Sequence, residues 1–307
     1  MRFLSALAFS IALPAVGADF DYRLQPRQIA NDTWVVQGAD ADFSPENGGN
    51  IVNTAFVVTD AGVVVIDSGP SKRYGEQLRA AIARITPRPI AKVLITHFHP
   101  DHFLGSQAFP AERLCTLPGI AEGIRAEGEN FNANLYRLAG DWMLGTEAVI
   151  PACTVAAGQF QVGGHRFELL ALDGHTAADL AVFDTTTGVL FAGDLVFHGR
   201  APTTPHANLP HWLAALDRLA AQPFRVLVPG HGAPTRDDGP IRETRDWLAW
   251  LGAAVAEGAA RGFDLTDMLN QPLPARFRSL AVATGEFRRS LSHLFPAAER
   301  AVLEHRP

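Results

Sequence analysis

Four residues able to bind a metal ion, His97, His99, Asp101 and His102, fall within six consecutive positions of Thr96-His97-Phe98-His99-Pro100-Asp101-His102. The run directly follows AKVLIT, residues 91–96, which reads as a short buried strand. A chain carrying this cluster has to fold so that a strand ends beside a loop that turns at once toward a helix. Alternate residues of extended chain share one side, so His97 and His99 project together. Asp101 and His102 follow as the backbone turns. Four donors exceed what one catalytic zinc with an open position takes up, so the loop is laid out for two adjacent cations.

Three later segments complete the pattern: Asp173-Gly174-His175-Thr176, Ala192-Gly193-Asp194 and Pro229-Gly230-His231-Gly232. Each is expected to place one donor at the end of a strand, next to a glycine that permits a tight turn and close approach. Singly each is weak, because a lone histidine after a strand is more often a capping or hydrogen-bonding residue. In this order, together with the first cluster, they form a site. Histidine is the commonest metal ligand, and these positions use five of the 11 histidines.

The rest of the chain alternates hairpin signals with amphipathic runs. Strands are expected in DYRLQPRQIA and TWVVQG around Asn31-Asp32, and in NTAFVVTD and GVVVIDSG around residues 60–62. Two further hairpins turn at Gly163-Gly164 and Thr187-Gly188, and RVLVPGHG is a last strand. KRYGEQLRAAIARI, residues 119–145 and LPHWLAALDRLAA are expected helices, and the chain is helical in pattern from Pro240 onward, with breaks at Gly262 and Pro272–Pro274. This mixture predicts an α+β fold of two sheets sandwiched between helices. The expected organisation is a signal peptide at 1–18, a main domain at 19–238 and a helical extension at 239–307.

Composition excludes several classes. Of 307 residues, 47% are hydrophobic, too many for disorder, and the net charge of −6 does not suit a nucleic-acid binder. Two cysteines rule out a Cys₄ zinc site and a disulfide scaffold. The N-terminus has Arg2, an apolar stretch from Phe3 to Val16 too short to span a bilayer, and small residues Val16 and Ala18 before Asp19. That is the pattern of a cleavable secretory signal, so the mature protein is expected in the periplasm or secreted, with no stable membrane insertion. Cys115 and Cys153 then sit in an oxidising space. The sequence leaves open whether they pair, and two separate buried thiols is marginally the preferred reading over a disulfide.

The motifs THFHPDH, GHT, GD and GHG together resemble the metallo-β-lactamase superfamily over about residues 20 to 235. The resemblance implies a four-layer αββα sandwich with a binuclear site at one edge. Carried over by position, His97, His99 and His175 hold the first metal, Asp101, His102 and His231 the second, and Asp194 bridges them. It implies two Zn²⁺ per chain, with a shared hydroxide attacking a small ester, lactone, thioester or amide. Asp101 would serve catalysis by orienting that hydroxide. Aspartate at 194 sets aside lactamases with a cysteine ligand there. The stretch from Glu46 to Ile82 and HPDHFLGSQAF are most similar to SoxH-like exported hydrolases, some called quinoprotein relay system zinc metallohydrolases, which implies a periplasmic quinoprotein system as partner context. Two other classes stay open: an iron persulfide dioxygenase of the same fold, and a non-catalytic periplasmic metal-binding accessory protein.

Beyond the ligand set, His198 and His206 in the loop after Asp194 are candidates for substrate-side positions, as is Tyr136 in the helical insertion. Asp67, ending a strand before Ser68-Gly69, is expected to buttress a ligand histidine. The loop 39–50 resembles a flap whose tip, Asn47 to Asn50, would touch substrate. His165, His211, His293 and His305 read as surface positions. Arg276, Arg278, Arg288 and Arg289 read as a solvated face.

Overall fold

The computed structural model describes residues 20–304. The expected signal peptide at 1–18 and His305 lie outside the described residues. Two sheets carry the fold. The first has seven strands in sequence order: β1 (Arg27–Ala30), β2 (Thr33–Val36), β3 (Thr54–Thr59), β4 (Gly62–Ile66), β5 (Ile90–Leu94), β6 (Leu114–Thr116) and β7 (Cys153–Thr154). Between them come helix α1 (Lys72–Ile85), the single turn α2 (Pro100–Phe103) and α3 (Pro118–Ala139). β1 to β4 are antiparallel neighbours, and β4 to β7 pair in parallel. The second sheet has the order β12-β11-β10-β9-β8, made of β8 (Gly158–Val162), β9 (His165–Leu172), β10 (Asp179–Asp184), β11 (Val189–Phe197) and β12 (Val226–His231). Helix α4 (Leu209–Ala220) connects β11 to the parallel β12. Helices α5 (Gly239–Ala260), α6 (Leu265–Leu269) and α7 (Ala283–Glu304) follow.

Period-two alternation in the second sheet builds the layers. Phe167, Leu169, Leu180, Val182, Val189, Phe191, Val226 and Val228 join the first sheet in one apolar cluster, with Leu78 of α1 and Ile124 of α3. Their neighbours Leu170, Leu172, Ala181, Phe183, Leu190 and Leu227 face the other way, into a second cluster with Trp212 of α4, Trp247 of α5 and Leu291 of α7. Successive side chains leave opposite faces of a strand, so each strand of this sheet feeds two cores. The result is the four-layer αββα sandwich, with α1 and α3 covering one sheet and α4, α5 and α7 covering the other. Among the described residues no helix is long and apolar enough to cross a membrane.

Three sequence expectations change. The first strand is shorter, because pairing begins only after Pro26, which has no N–H for a ladder. β6 and β7, three and two residues long, carry no readable periodicity. They bring Cys115 opposite Cys153, and the two form a disulfide with Cα atoms 4.3 Å apart, overturning the preference for separate thiols. His165 is not a surface residue: it is buried, with Nδ1 2.9 Å from Asp184 Oδ2.

Candidate metal centre

The site gathers at one end of the sandwich, where both sheets deliver loops. β5 stops at Leu94, and Pro100 at the first helical position starts the turn α2, whose fixed φ suits it to begin a helix. This places His97 and His99 on one side of the loop and Asp101 and His102 within one helical turn. His175 lies in the β9–β10 connection, and His231 is the last residue of β12. Asp194 departs from its expected place. It lies inside β11 rather than at a strand end, and the β11–β12 register shifts on both sides of Gly193, whose φ is +53°. Such a bulge re-aims a side chain. The partner strand makes room with Gly230, where a Cβ would come within 1.9 Å of Asp194 Oδ1.

All seven expected donors converge and all are buried. They form two groups, His97–His99–His175–Asp194 and Asp101–His102–His231, with ligand atoms in each within 4.8 Å of one another. Asp194 faces both. Its Oδ2 lies 3.8 Å from His97 Nε2, 3.4 Å from His175 Nε2 and 3.2 Å from His231 Nε2, and its Oδ1 lies 3.1 Å from His102 Nε2. Asp101 Oδ2 is 3.4 Å from His231 Nε2.

Outer partners fix which nitrogen each ring turns inward. His102 Nδ1 is 2.7 Å from Asp67 Oδ2, and His231 Nδ1 donates to the Ile51 carbonyl at 2.7 Å, so both present Nε2 to the cluster. His99 does the reverse: Nδ1 meets His175 Nε2 at 2.8 Å, and Nε2 meets His206 Nδ1 at 2.9 Å. Asp67 itself is locked by the Thr96 N–H and hydroxyl, both at 2.8 Å, with φ at +60°.

The electrostatics favour a cation. Burial opposes charge on His102, yet Asp194, Asp101 and Asp67 together hold it well above the ordinary histidine range. Burial and neighbouring imidazoles push His97 and His99 well below it, and burial takes His175 down to about 3. Four inward atoms, His97 Nε2, Asp101 Oδ2, His102 Nε2 and Asp194 Oδ1, are buried without a hydrogen-bond partner among the described residues. Unpaired buried polar atoms are costly unless something satisfies them. Imidazole nitrogens and carboxylate oxygens in such numbers suit zinc, iron or manganese, so the residues fit a divalent metal.

A cleft of about 220 Å³ opens onto His99, Asp101, Asp194 and His231. Its apolar wall includes Phe43, Ile51 and Phe131. Of the other candidates, His206 is brought to the rim through its bond to His99, beside Phe98 and Phe131. His198 is not: Phe197 stacks on His231, so the next residue turns away and its Nδ1 bonds the Ala233 carbonyl at 2.6 Å. Tyr136 is not at the cleft either. Phe131 and Asn134 give the cleft their face of α3, whereas Tyr136 is 45% exposed and its hydroxyl bonds Asp141. The flap tip is likewise displaced. Trp142 donates to the Pro45 carbonyl and Tyr22 to that of Gly48, pinning the tip, while Asp42 and Phe43 reach the cleft.

One wall was missed by sequence reasoning. Arg200 and three residues remote from the motifs, Asp42, Glu286 and Arg289, line the cleft. Arg289 thus borders the cleft while its side chain stays 44% exposed, as expected of a solvated face. A signal existed in α7: Ala283, Glu286, Phe287, Ser290 and Leu291 share its buried stripe, and a glutamate in such a stripe asks for a partner. Burial raises the Glu286 pKa, against the pull of Arg200 and Arg289.

Comparison with known proteins places the geometry. The chain is 23% identical over 236 residues to a linear primary-alkylsulfatase from a Pseudomonas species, covering 62% of this chain and 44% of that protein. It is 31% identical over 168 residues to a hydroxyacylglutathione hydrolase of Albidiferax ferrireducens, covering 54% and 55%. An acyl-coenzyme A thioesterase of Bos taurus is 27% identical over 209 residues, covering 60% and 74%. The chain thus spans about half the length of the first and second of these relatives. A metallo-beta-lactamase from Pontibacter korlensis shares the fold at a TM-score of 0.58 and 24% identity, covering 74% of this chain and 99% of that one. The family model for the metallo-beta-lactamase superfamily matches residues 47–231, a span that holds all seven clustered donors, and this chain belongs to that superfamily.

Proposed function

We propose that the protein is an exported metal-dependent hydrolase of a small ester, lactone, thioester or amide, holding two zinc ions. His97, His99 and His175 would hold one, Asp101, His102 and His231 the other, with Asp194 between them. The observation that carries the reading is Asp194, whose two oxygens lie 3.1–3.8 Å from histidines of both groups. When bound, the metal pair supplies Lewis-acid polarisation of the attacked group and a water pKa lowered toward ~7.

The chain's own residues do the rest. Asp67 keeps the His102 ring turned inward, and Asp101 accepts a hydrogen bond from the attacking water, which orients it. Phe43, Ile51 and Phe131 exclude bulk water from the cleft and give the substrate an apolar surface. Among the relatives, names that specify hydroxyacylglutathione hydrolase and acyl-coenzyme A thioesterase support a substrate with an activated acyl bond. The pattern at 1–18 and the Cys115–Cys153 disulfide support export, because disulfides persist in oxidising compartments. The link to a periplasmic quinoprotein system rests on the SoxH-like resemblance.

Metal analysis and a substrate panel test the reading. Two zinc per chain, with turnover lost on chelation and restored by zinc, is expected. One iron with oxygen consumption would overturn it in favour of a dioxygenase. Two zinc with no turnover across esters, lactones, thioesters and amides would make it a metal-binding accessory protein.

A further inference from the structure

Three of the charged residues lining the cleft come from segments that the family span does not contain. Asp42 comes from the loop before it, and Glu286 and Arg289 come from α7 after it. Arg289 Nη2 lies 3.1 Å from Asp42 Oδ1, and its Nη1 lies 3.1 Å from Glu286 Oε1. Beneath them Arg200 is 3% exposed, and its Nη2 reaches Glu286 Oε1 at 3.4 Å and the Ala41 carbonyl at 3.5 Å. The Thr204 hydroxyl donates to Ser290 Oγ at 2.8 Å and ties this loop to α7.

Donors outnumber acceptors in this wall. Each guanidinium offers five N–H groups. The acceptors they meet are one oxygen of Glu286, one of Asp42 and the Ala41 carbonyl, and Glu286 Oε2 is one further buried acceptor without a partner among the described residues, still far fewer than ten N–H groups. Arg200 Nε and Nη1 are buried with no partner among the described residues. The Asp42–Arg289 pair is the open edge of the cluster, with side chains 49% and 44% exposed. An ion pair that faces water is weak and readily exchanged. Asp42 is thus a carboxylate resting on an arginine in the same cleft as His99, Asp101, Asp194 and His231.

We propose that Arg289, backed by the buried charge of Arg200, binds an oxyanion carried by the substrate away from the bond that is cleaved, and that Asp42 is the carboxylate this anion displaces. This deepens the hydrolase reading and rests on it for the reaction, while binding of the anion is measurable separately. The substrate is then an acyl compound with a remote carboxylate or comparable acidic oxygen group, rather than a neutral one. Selection comes from the C-terminal helix, and the chemistry comes from the clustered donors of the family span.

The test compares two esters of equal chain length on the zinc-loaded protein: p-nitrophenyl pentanoate and the mono-p-nitrophenyl ester of glutarate. The wild type is expected to favour the glutarate ester about tenfold in kcat/KM. R289Q should lose that preference, chiefly by a rise in KM for the anionic ester, and D42N should strengthen it by removing the competitor. No preference in the wild type, or an equal loss on both esters in R289Q, overturns the proposal. If neither ester is cleaved, calorimetric binding of glutarate to the metal-stripped protein decides about Arg289, and the hydrolase reading is left to the broader substrate panel. Affinity about tenfold weaker in R289Q supports the anion site, and equal affinity overturns it.

Discussion

His102 and His165 are both buried imidazoles held by a buried aspartate, at 2.7 Å by Asp67 and at 2.9 Å by Asp184. They differ in where the second nitrogen goes. His102 Nε2 faces Asp101 and Asp194, at 3.7 and 3.1 Å, and has no aligned hydrogen-bond partner. His165 Nε2 looks toward Asp32, a side chain 60% exposed, at 3.9 Å. Asp184 also accepts from the Thr186 N–H and the Thr187 hydroxyl, which closes the β10–β11 turn. The histidine–aspartate couple is therefore structural by itself. It becomes part of a metal centre only where other donors converge on the free nitrogen.

Substitutions can break or sharpen that contrast. The largest effect is expected from H102A, which removes a donor and leaves Asp67 and Asp194 less compensated. Turnover should fall by more than ~100-fold, beyond the range of losses at outer partners, and metal analysis should show one ion fewer per chain. Unchanged metal content would remove His102 from the site. D67N comes next, at roughly 10–100-fold in metal affinity or activity, because it loosens the ring without deleting a ligand. If competition with a chelator gave D67N and D184N the same metal affinity, the two couples would not differ as described. D184N should act on stability instead, costing about 1–3 kcal/mol in urea unfolding for the buried donor it strands.

The smallest effect concerns pH. The hydrogen bond to Asp184 raises the His165 pKa above its ordinary value, against partial burial. A raised folded-state pKa means that the charged form contributes stability fully below about pH 6.5 and loses it as pH climbs through the folded value. The Tm gap between wild type and H165Q should therefore narrow as pH rises from 6 past neutrality. A gap that widened would reverse the assigned sign.

Much of this was legible in the sequence because local rules carried it. Gly163-Gly164 and Thr187-Gly188 turn hairpins where expected, and the α1 helix matches the KRYGEQLRAAIARI run. The seven donors were readable because each sits in a short motif. What escaped depends on distant pairing. β6 and β7 are too short to show a period, so the Cys115–Cys153 pairing had no local trace. Asp194 looked like a strand end because Gly193 mimics one, yet the strand continues to Phe197. Tyr136 and His198 were near the right segments, but side-chain direction, set by the 3.6-residue turn and the two-residue pleat, sends both elsewhere. Arg200, Arg289 and Asp42 meet across 247 positions of chain, a contact no window of sequence displays.

The donor cluster has a consequence for how the molecule assembles. Its residues run from position 97 to 231 and come from both sheets, so the cluster does not exist until the sandwich is closed. Contacts this far apart slow folding, because loop-closure entropy is paid before they reward it. A metal that binds only the finished cluster stabilises the folded state over the unfolded one. Free metal at a hundred times its dissociation constant would add about 2.7 kcal/mol to global stability, so chelation would register as a melting shift across the whole sandwich and not only as a vacant pocket.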